Sequence, residues 1–288
     1  MLELLRQHPA LFFTAVAVLG LLVGSFLNVV ILRLPVMLER QWRLECRQFL
    51  ELPESPPEER LDLLYPPSRC PRCGHRIRAW ENVPVLSWLW LRGRCSRCRE
   101  PISPRYPVIE GLTAILSLAV AWRFGVSPQT LWALVLTWGL IVLSVIDYDH
   151  QLLPDALTLP LLWLGLLLSL SGVFTDPRSA IMGAAAGYLL LWGVYQSFRL
   201  ITGKEGMGYG DFKLLALLGA WLGWQMLPLI VLLSSLVGAL AGVTLILFRG
   251  RDRGLPIPFG PYLAVAGWIA LMWGETLNRW YLQSSGLG

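Results

Sequence analysis

The sequence predicts an all-α polytopic membrane protein of about eight transmembrane helices with a small zinc-ribbon-like cytoplasmic domain. Three observations carry this. The 288 residues are 55% hydrophobic and only 15% charged, with a mean hydropathy of +0.55, which is too apolar for an ordinary soluble domain. Apolar runs close to the ~20 residues that cross a bilayer recur along most of the chain. One extensive polar segment interrupts them and carries all five cysteines, four of them in two C-x-x-C pairs. Fourteen Trp, 20 Pro and 27 Gly exclude a coiled coil or a low-complexity tail. The +5 net charge does not point to nucleic acid, because the Arg residues concentrate in one segment flanked by spans, where the positive-inside rule accounts for them.

The apolar runs lie near residues 10–32, 107–124, 129–147, 155–172, 179–200, 212–227, 228–248 and 260–282. The first is no cleavable signal, since Leu34-Pro35 and charged residues follow it without a small-residue cleavage site. The sixth is short, and Pro228 separates it from the seventh, so residues 212–248 form either two spans or one kinked span. Eight spans with an outside N-terminus put 20 of the 24 Lys and Arg on the cytoplasmic side, leaving Arg6, Arg123, Arg178 and Arg279 outside. One span over 212–248 would weaken that bias without reversing it, by moving Arg249, Arg251 and Arg253 outside. The division that follows is a first helix over residues 1–33, a cytoplasmic loop over 34–105 and a membrane core over 106–288.

About 70 residues of loop can hold only a very small domain that needs a staple. Cys70-Pro-Arg-Cys73 and Cys95-Ser-Arg-Cys98, with 21 residues between them, supply it at a spacing close to that of four-thiolate zinc ribbons. A pair of disulfides is the other reading, disfavoured in a loop facing a reducing cytosol. Four thiolates leave no open coordination position, so the ion is structural. Cys46 is left over as a free thiol, and His75 reads as an exposed polar residue. Residues 36–50 alternate apolar side chains with Arg40, Arg43 and Arg47, as a helix does on a membrane surface or packed on the ribbon; residues 51–69 read as a linker.

Ionisable groups at the edge of spans are costly and have a reason. Asp147 follows an apolar run directly, and Asp211 closes Gly208-Tyr-Gly-Asp211 ahead of another; 64 residues separate them. On the expected topology both lie at cytoplasmic helix ends. Two close carboxylates cannot both ionise cheaply, so one keeps a proton while the other takes one from water, which is aspartic-protease chemistry. Gly208 and Gly210 would let backbone approach an extended peptide. The alternative is that Asp211 and Asp155 cap helices, which is the preferred role for Asp155, and Asp149 or His150 are neighbours of Asp147 able to replace it. Lys213 attracts a carboxylate or anchors its helix at the lipid headgroups.

Together these motifs resemble the type IV prepilin peptidases, the bifunctional leader peptidases and N-methyltransferases of type IV pilus and type II secretion systems. The resemblance covers most of the chain: Gly24-Ser-Phe-Leu-Asn-Val-Val30 with Arg33-Leu-Pro35, the cysteine pairs, Trp80-Glu-Asn-Val-Pro84 with Ser87-Trp88, Leu91-Arg-Gly-Arg-Cys95, Ile102-Ser-Pro-Arg-Tyr-Pro107 with Glu110, Asp147 with Leu153-Pro-Asp155, and Gly208-Tyr-Gly-Asp-Phe-Lys213. It implies a GxGD-type aspartic protease with Asp147 and Asp211 as the catalytic pair, in a bacterial inner membrane. It implies cleavage of a short basic leader from prepilins and pseudopilins after a Gly, on the cytoplasmic side. Methylation of the new amino terminus from S-adenosylmethionine follows, and the resemblance points to Gly93 for that step, whose plainer role is a turn in the ribbon. A non-catalytic membrane scaffold that docks a partner through its ribbon is the competing reading, and a transporter ranks last, lacking evident inverted repeats.

Overall fold

Hydrocarbon offers the backbone no hydrogen-bond partners, so apolar runs of this length fold as helices. The computed structural model describes residues 2–53, 59–249 and 258–284 and falls into two compact units, Met1–Val126 and Ser127–Gly288. Among the described residues the helices are α1 (Leu2–Gln7), α2 (Pro9–Phe49), α3 (Leu86–Trp90) and α4 (Arg105–Phe124) in the first unit. The second unit holds α5 (Pro128–His150), α6 (Asp155–Ser169), α7 (Pro177–Thr202), α8 (Tyr209–Leu222), α9 (Leu227–Arg249) and α10 (Gly260–Ser284).

Eight of these helices coincide with the eight apolar runs. By length and composition alone, four described stretches suffice to cross a membrane: Pro9–Phe49, Arg105–Phe124, Pro128–His150 and Trp224–Thr244. The protein is therefore multi-pass. The 15 residues of α6 and 14 of α8 reach only about 21–23 Å, short of the ~30 Å hydrocarbon core.

In the first unit α2 runs unbroken through Pro35 for 41 residues, about 62 Å. The segment over residues 36–50, read from sequence as a helix on the membrane surface or packed on the ribbon, is thus the continuation of α2, because one proline removes one hydrogen bond without ending a long helix. Side chains of α2 hold the chain that follows. Arg33 donates to the carbonyls of Asp62 at 2.8 Å and Pro66 at 2.6 Å, and Arg40 to that of Glu59 at 3.0 Å. The expected linker is in this part tied down, while its residues 54–58 lie outside the described residues. Small residues bring α2 against α4: a Cβ on Gly20 would sit 2.8 Å from Ala114 Cα, and one on Gly24 would sit 2.7 Å from Glu110 Cα.

In the second unit the chain breaks between α8 and α9 at Gly223, with φ +83°, not at Pro228, which occupies the first turn of α9. Residues 212–248 are therefore two helices. Arg251 and Arg253, which entered the charge count, lie outside the described residues. From Phe212 to Trp221 every residue of α8 except Lys213 is buried, as expected for a helix that is apolar all round. Packing against α6, α7 and α10 encloses it. Gly183 and Gly219 bring the α7 and α8 backbones into direct contact, and Trp221 Nε1 donates to the Leu161 carbonyl of α6 at 2.8 Å.

Candidate active site

Asp147 occupies the last turn of α5 and Asp211 the first turn of α8; they are 6% and 7% exposed, inside the second unit. The three residues after Asp147, Tyr148, Asp149 and His150, are all exposed, which separates Asp147 from Asp149. A short chain of contacts links the two carboxyls. The backbone N–H of Gly260, the first residue of α10, donates to Asp147 Oδ2 at 3.0 Å. That amide is free because the first turn of a helix has no intrahelical acceptor for it. Leu153, buried in the loop between α5 and α6, lies against Gly260 on one side and Gly210 on the other, since a Cβ on Gly260 would sit 3.3 Å from Leu153 Cδ1 and one on Gly210 2.7 Å from Leu153 Cβ. Gly210 adjoins Asp211 in the chain. A Cβ on Gly260 would also sit 2.6 Å from Asp147 Oδ2, so that approach requires glycine.

The helix cap ahead of Asp211 is Gly208, three residues earlier, and Asp211 itself is not a cap. Nor is Asp155, because Pro154 holds the cap position of α6. Asp155 instead pairs with Lys213, whose Nζ lies 2.7 Å from both carboxylate oxygens. Lys213 thus meets a carboxylate, but not that of Asp211. Tyr195, Tyr209 and Phe212 stack within 5.3–5.6 Å around the start of α8. Gly260 escaped the reading of the sequence, and Leu153 entered it only within the motif Leu153-Pro-Asp155. The one available signal was Gly260-Pro261 opening an apolar run, a helix start whose partner only the tertiary structure reveals.

The four paired cysteines converge in the first unit. Cys70, Cys73, Cys95 and Cys98 place their sulfurs within 4.8 Å of one another, arranged to hold a metal ion. Each knuckle is closed the same way: Gly74 N–H donates to Cys70 O and Arg99 N–H to Cys95 O, both at 3.0 Å, with Gly74 and Arg99 in the left-handed region. Isolated antiparallel bridges, Arg69 with Arg76 and Arg94 with Pro101, flank them. The Cys73 and Arg72 amides bring the Cys70 thiol down to about 7. The Glu100 amide favours the Cys98 thiolate, yet desolvation and the three neighbouring thiols push that group up to about 12. Four sulfurs so close carry their negative charge only with a cation among them. Cys46 is exposed and free, as expected.

His75 is not the exposed residue that was expected. Its Nε2 lies 3.1 Å from Glu81 Oε2 and its side chain is largely covered. The Ser96 hydroxyl, the Arg78 amide and the His75 ring hold Glu81 down at about 2. Gly93 is buried with φ +65° between its amide bond to Trp88 O at 2.8 Å and the bond its carbonyl accepts from Ile102 N–H at 2.7 Å. A Cβ there would sit 2.8 Å from the Trp88 ring, so the turn itself requires glycine.

Comparison with known proteins adds to this geometry. Residues 18–124 match the bacterial peptidase A24 N-terminal domain, and residues 134–243 match the type IV leader peptidase family. A prepilin leader peptidase/N-methyltransferase of Stutzerimonas stutzeri is 58% identical over 98% of this chain and 97% of its own length. Those of Pseudomonas putida and Pseudomonas aeruginosa are 59% and 57% identical over 98% and 99% of both chains. No solved structure matches. With both units matched and relatives this similar along their full lengths, the chain belongs to the type IV leader peptidase family.

Proposed function

We propose that this protein is a membrane-embedded aspartic endopeptidase that removes the basic leader from type IV prepilins and pseudopilins after a Gly, and then N-methylates the new amino terminus. The observation that carries the reading is the buried carboxyl pair, Asp147 and Asp211, knitted together through Gly260, Leu153 and Gly210. The Gly260 amide at the positive end of α10 stabilises negative charge on Asp147. Asp147 is accordingly the group that takes a proton from water as its oxygen attacks the scissile carbonyl carbon, and Asp211 is the group that gives a proton to the leaving amine. Gly208, beside which little but Asp211 lies, leaves room for the extended substrate backbone, Gly210 supports the site by admitting Leu153 next to Asp211, and Lys213 supports it through Asp155.

Cys70, Cys73, Cys95 and Cys98 suit zinc, which prefers four tetrahedral sulfur ligands and, so closed, acts structurally. S-adenosylmethionine, when bound, supplies the methyl group; Gly93 supports the step by shaping the ribbon. The excess of Lys and Arg puts the ribbon and both aspartates on the cytoplasmic face of a bacterial inner membrane, with the first crossing ending near residue 33, a cytoplasmic loop over 34–105 and the core over 106–288.

The test is a cleavage assay with detergent-purified enzyme and a prepilin, reading the new amino terminus by mass spectrometry. Wild type is expected to cleave, and to add a methyl group only when S-adenosylmethionine is supplied. Asp147→Asn and Asp211→Asn are expected to remain folded and to cleave nothing. A folded wild type that binds prepilin without cleaving it would return the protein to the scaffold reading.

A further inference from the structure

The short helix α3 carries an apolar stripe. Leu86, Leu89 and Trp90 stand at positions i, i+3 and i+4, on one helical face, and are 62%, 58% and 89% exposed. Trp88 points away from that face, into the ribbon, where its ring meets Gly93 and its Nε1 donates to the Ile102 carbonyl at 3.1 Å. The ribbon thus spends one tryptophan on its own interior and displays another.

One hydrogen bond fixes where the displayed face lies. The N–H of Val85, which caps α3, donates at 2.7 Å to Oε2 of Glu110. Glu110 is a buried carboxyl five residues past Arg105, the first residue of α4; at the rise of a helix that is about 7–8 Å along its axis. Val85 holds φ +60°, a conformation costly for a β-branched residue, which persists only where the surroundings impose it. α4 is itself one of the helices apolar enough to cross a membrane. Its Val108, Leu112 and Ile115, spaced along one face, are exposed as lipid-facing residues are. The Glu110 contact therefore hangs α3 beside the entry of α4 into the bilayer, at the roughly 5–10 Å depth where amphipathic helices bury their apolar faces. Exposed Arg92 and Arg94 follow the stripe directly and complement anionic headgroups.

We propose that α3 is an interfacial anchor that lays Leu86, Leu89 and Trp90 into the headgroup–acyl boundary of an anionic bilayer, with the Glu110 carboxyl as its tether. It rests on α4 crossing the membrane and not on the catalytic reading. The consequence is that the four-cysteine ribbon is pinned to the membrane surface at α3 as well as through the helices that flank it.

The experiment uses the full-length, metal-loaded protein in nanodiscs of phosphatidylcholine and phosphatidylglycerol. A keto-bearing amino acid replaces Trp90 and carries the fluorophore NBD, with a second preparation labelled at the exposed Arg97 on the second knuckle. The label at position 90 is expected to be quenched by a lipid bearing a shallow doxyl group and to be several-fold less accessible to iodide than the label at position 97. Equal iodide quenching at both positions would overturn the anchor. Shielding from both quenchers would also overturn it, by showing that protein and not lipid covers the face. In the Glu110→Ala variant the label at position 90 is expected to gain iodide access, and unchanged access would remove the tether.

Discussion

The cysteine ribbon and the aspartate site solve one problem, that of holding like-charged groups together, by opposite means. In the ribbon each pair of sulfurs is delivered by a turn that closes locally, Gly74 onto Cys70 and Arg99 onto Cys95, and the two pairs converge in a cluster that could hold a metal ion. The aspartates come from helices 64 residues apart in the chain and no bond joins them. Their neighbourhood is made by an amide of a third helix, a leucine from a loop, and glycines that let these elements meet. A ribbon held by an ion at that cluster should fail all at once when the ion leaves, whereas the aspartate site should fail by degrees as its packing is loosened.

The largest expected effect is on the ribbon. Structural zinc contributes about 10–16 kcal/mol in small zinc domains, so chelation or Cys70→Ser should leave the Arg-rich segment between residues 69 and 99 open to trypsin while helical circular dichroism is retained. A ribbon still protease-resistant without metal would end the contrast. Next comes the chemistry: replacing either Asp147 or Asp211 with Asn should lower cleavage at least about 10²–10⁴-fold, the contribution of a positioned acid or base. Full activity of Asp147→Asn would transfer the role to Asp149. The packing itself is probed by Gly260→Ala, whose added methyl must displace Asp147 Oδ2 or Leu153. We expect a loss of about 1–3 kcal/mol in thermal unfolding together with a fall of about 10²-fold in kcat from misplacement.

Smaller still is the Lys213–Asp155 pair. Both partners are partly exposed, and pairs of that kind are worth about 0.2–1 kcal/mol. Lys213 lies near the N-terminus of α8, where a cation opposes the helix dipole, so its value is in tying α8 to α6. Lys213→Asp and Asp155→Lys should each lower kcat modestly, and the double exchange should recover most of it; no recovery would reduce the pair to a surface contact. The smallest effect concerns Asp176, the cap of α7, whose carboxyl the Ser179 hydroxyl and amide hold below the usual range. The anion is the favoured form, so the cap contributes fully above about pH 4 and is lost as pH falls through the depressed value. Asp176→Asn, which caps without ionising, should flatten that part of the stability–pH curve.

Much of the candidate site was legible in the residues because the signals that point to it are local. The C-x-x-C spacing specifies a knuckle wherever it folds, and an Asp directly after an apolar run marks a membrane edge. Helix existence was legible for the same reason, since composition over ~20 residues decides it. The details that went astray depend on what lies across from a residue. His75 read as exposed until Glu81 was found beside it, Asp155 read as a cap where Pro154 holds that place and Lys213 takes its carboxylate, and the first helix read as ending at residue 33, where the apolar run stops, whereas it continues to Phe49 with Arg33 and Arg40 holding the chain that follows.

What the sequence by itself determined is the class of the molecule, its apolar helices, the four cysteines and the two acidic positions, all properties of neighbours along the chain. Only the tertiary structure decided that Gly260 hands its amide to Asp147, that Leu153 separates Gly210 from Gly260, and that Glu110 holds α3 by Val85. Those contacts join residues 25 to 113 positions apart, and no short-range preference specifies them. They follow from burying helices whose small residues permit close approach and whose unsatisfied terminal amides must find an acceptor.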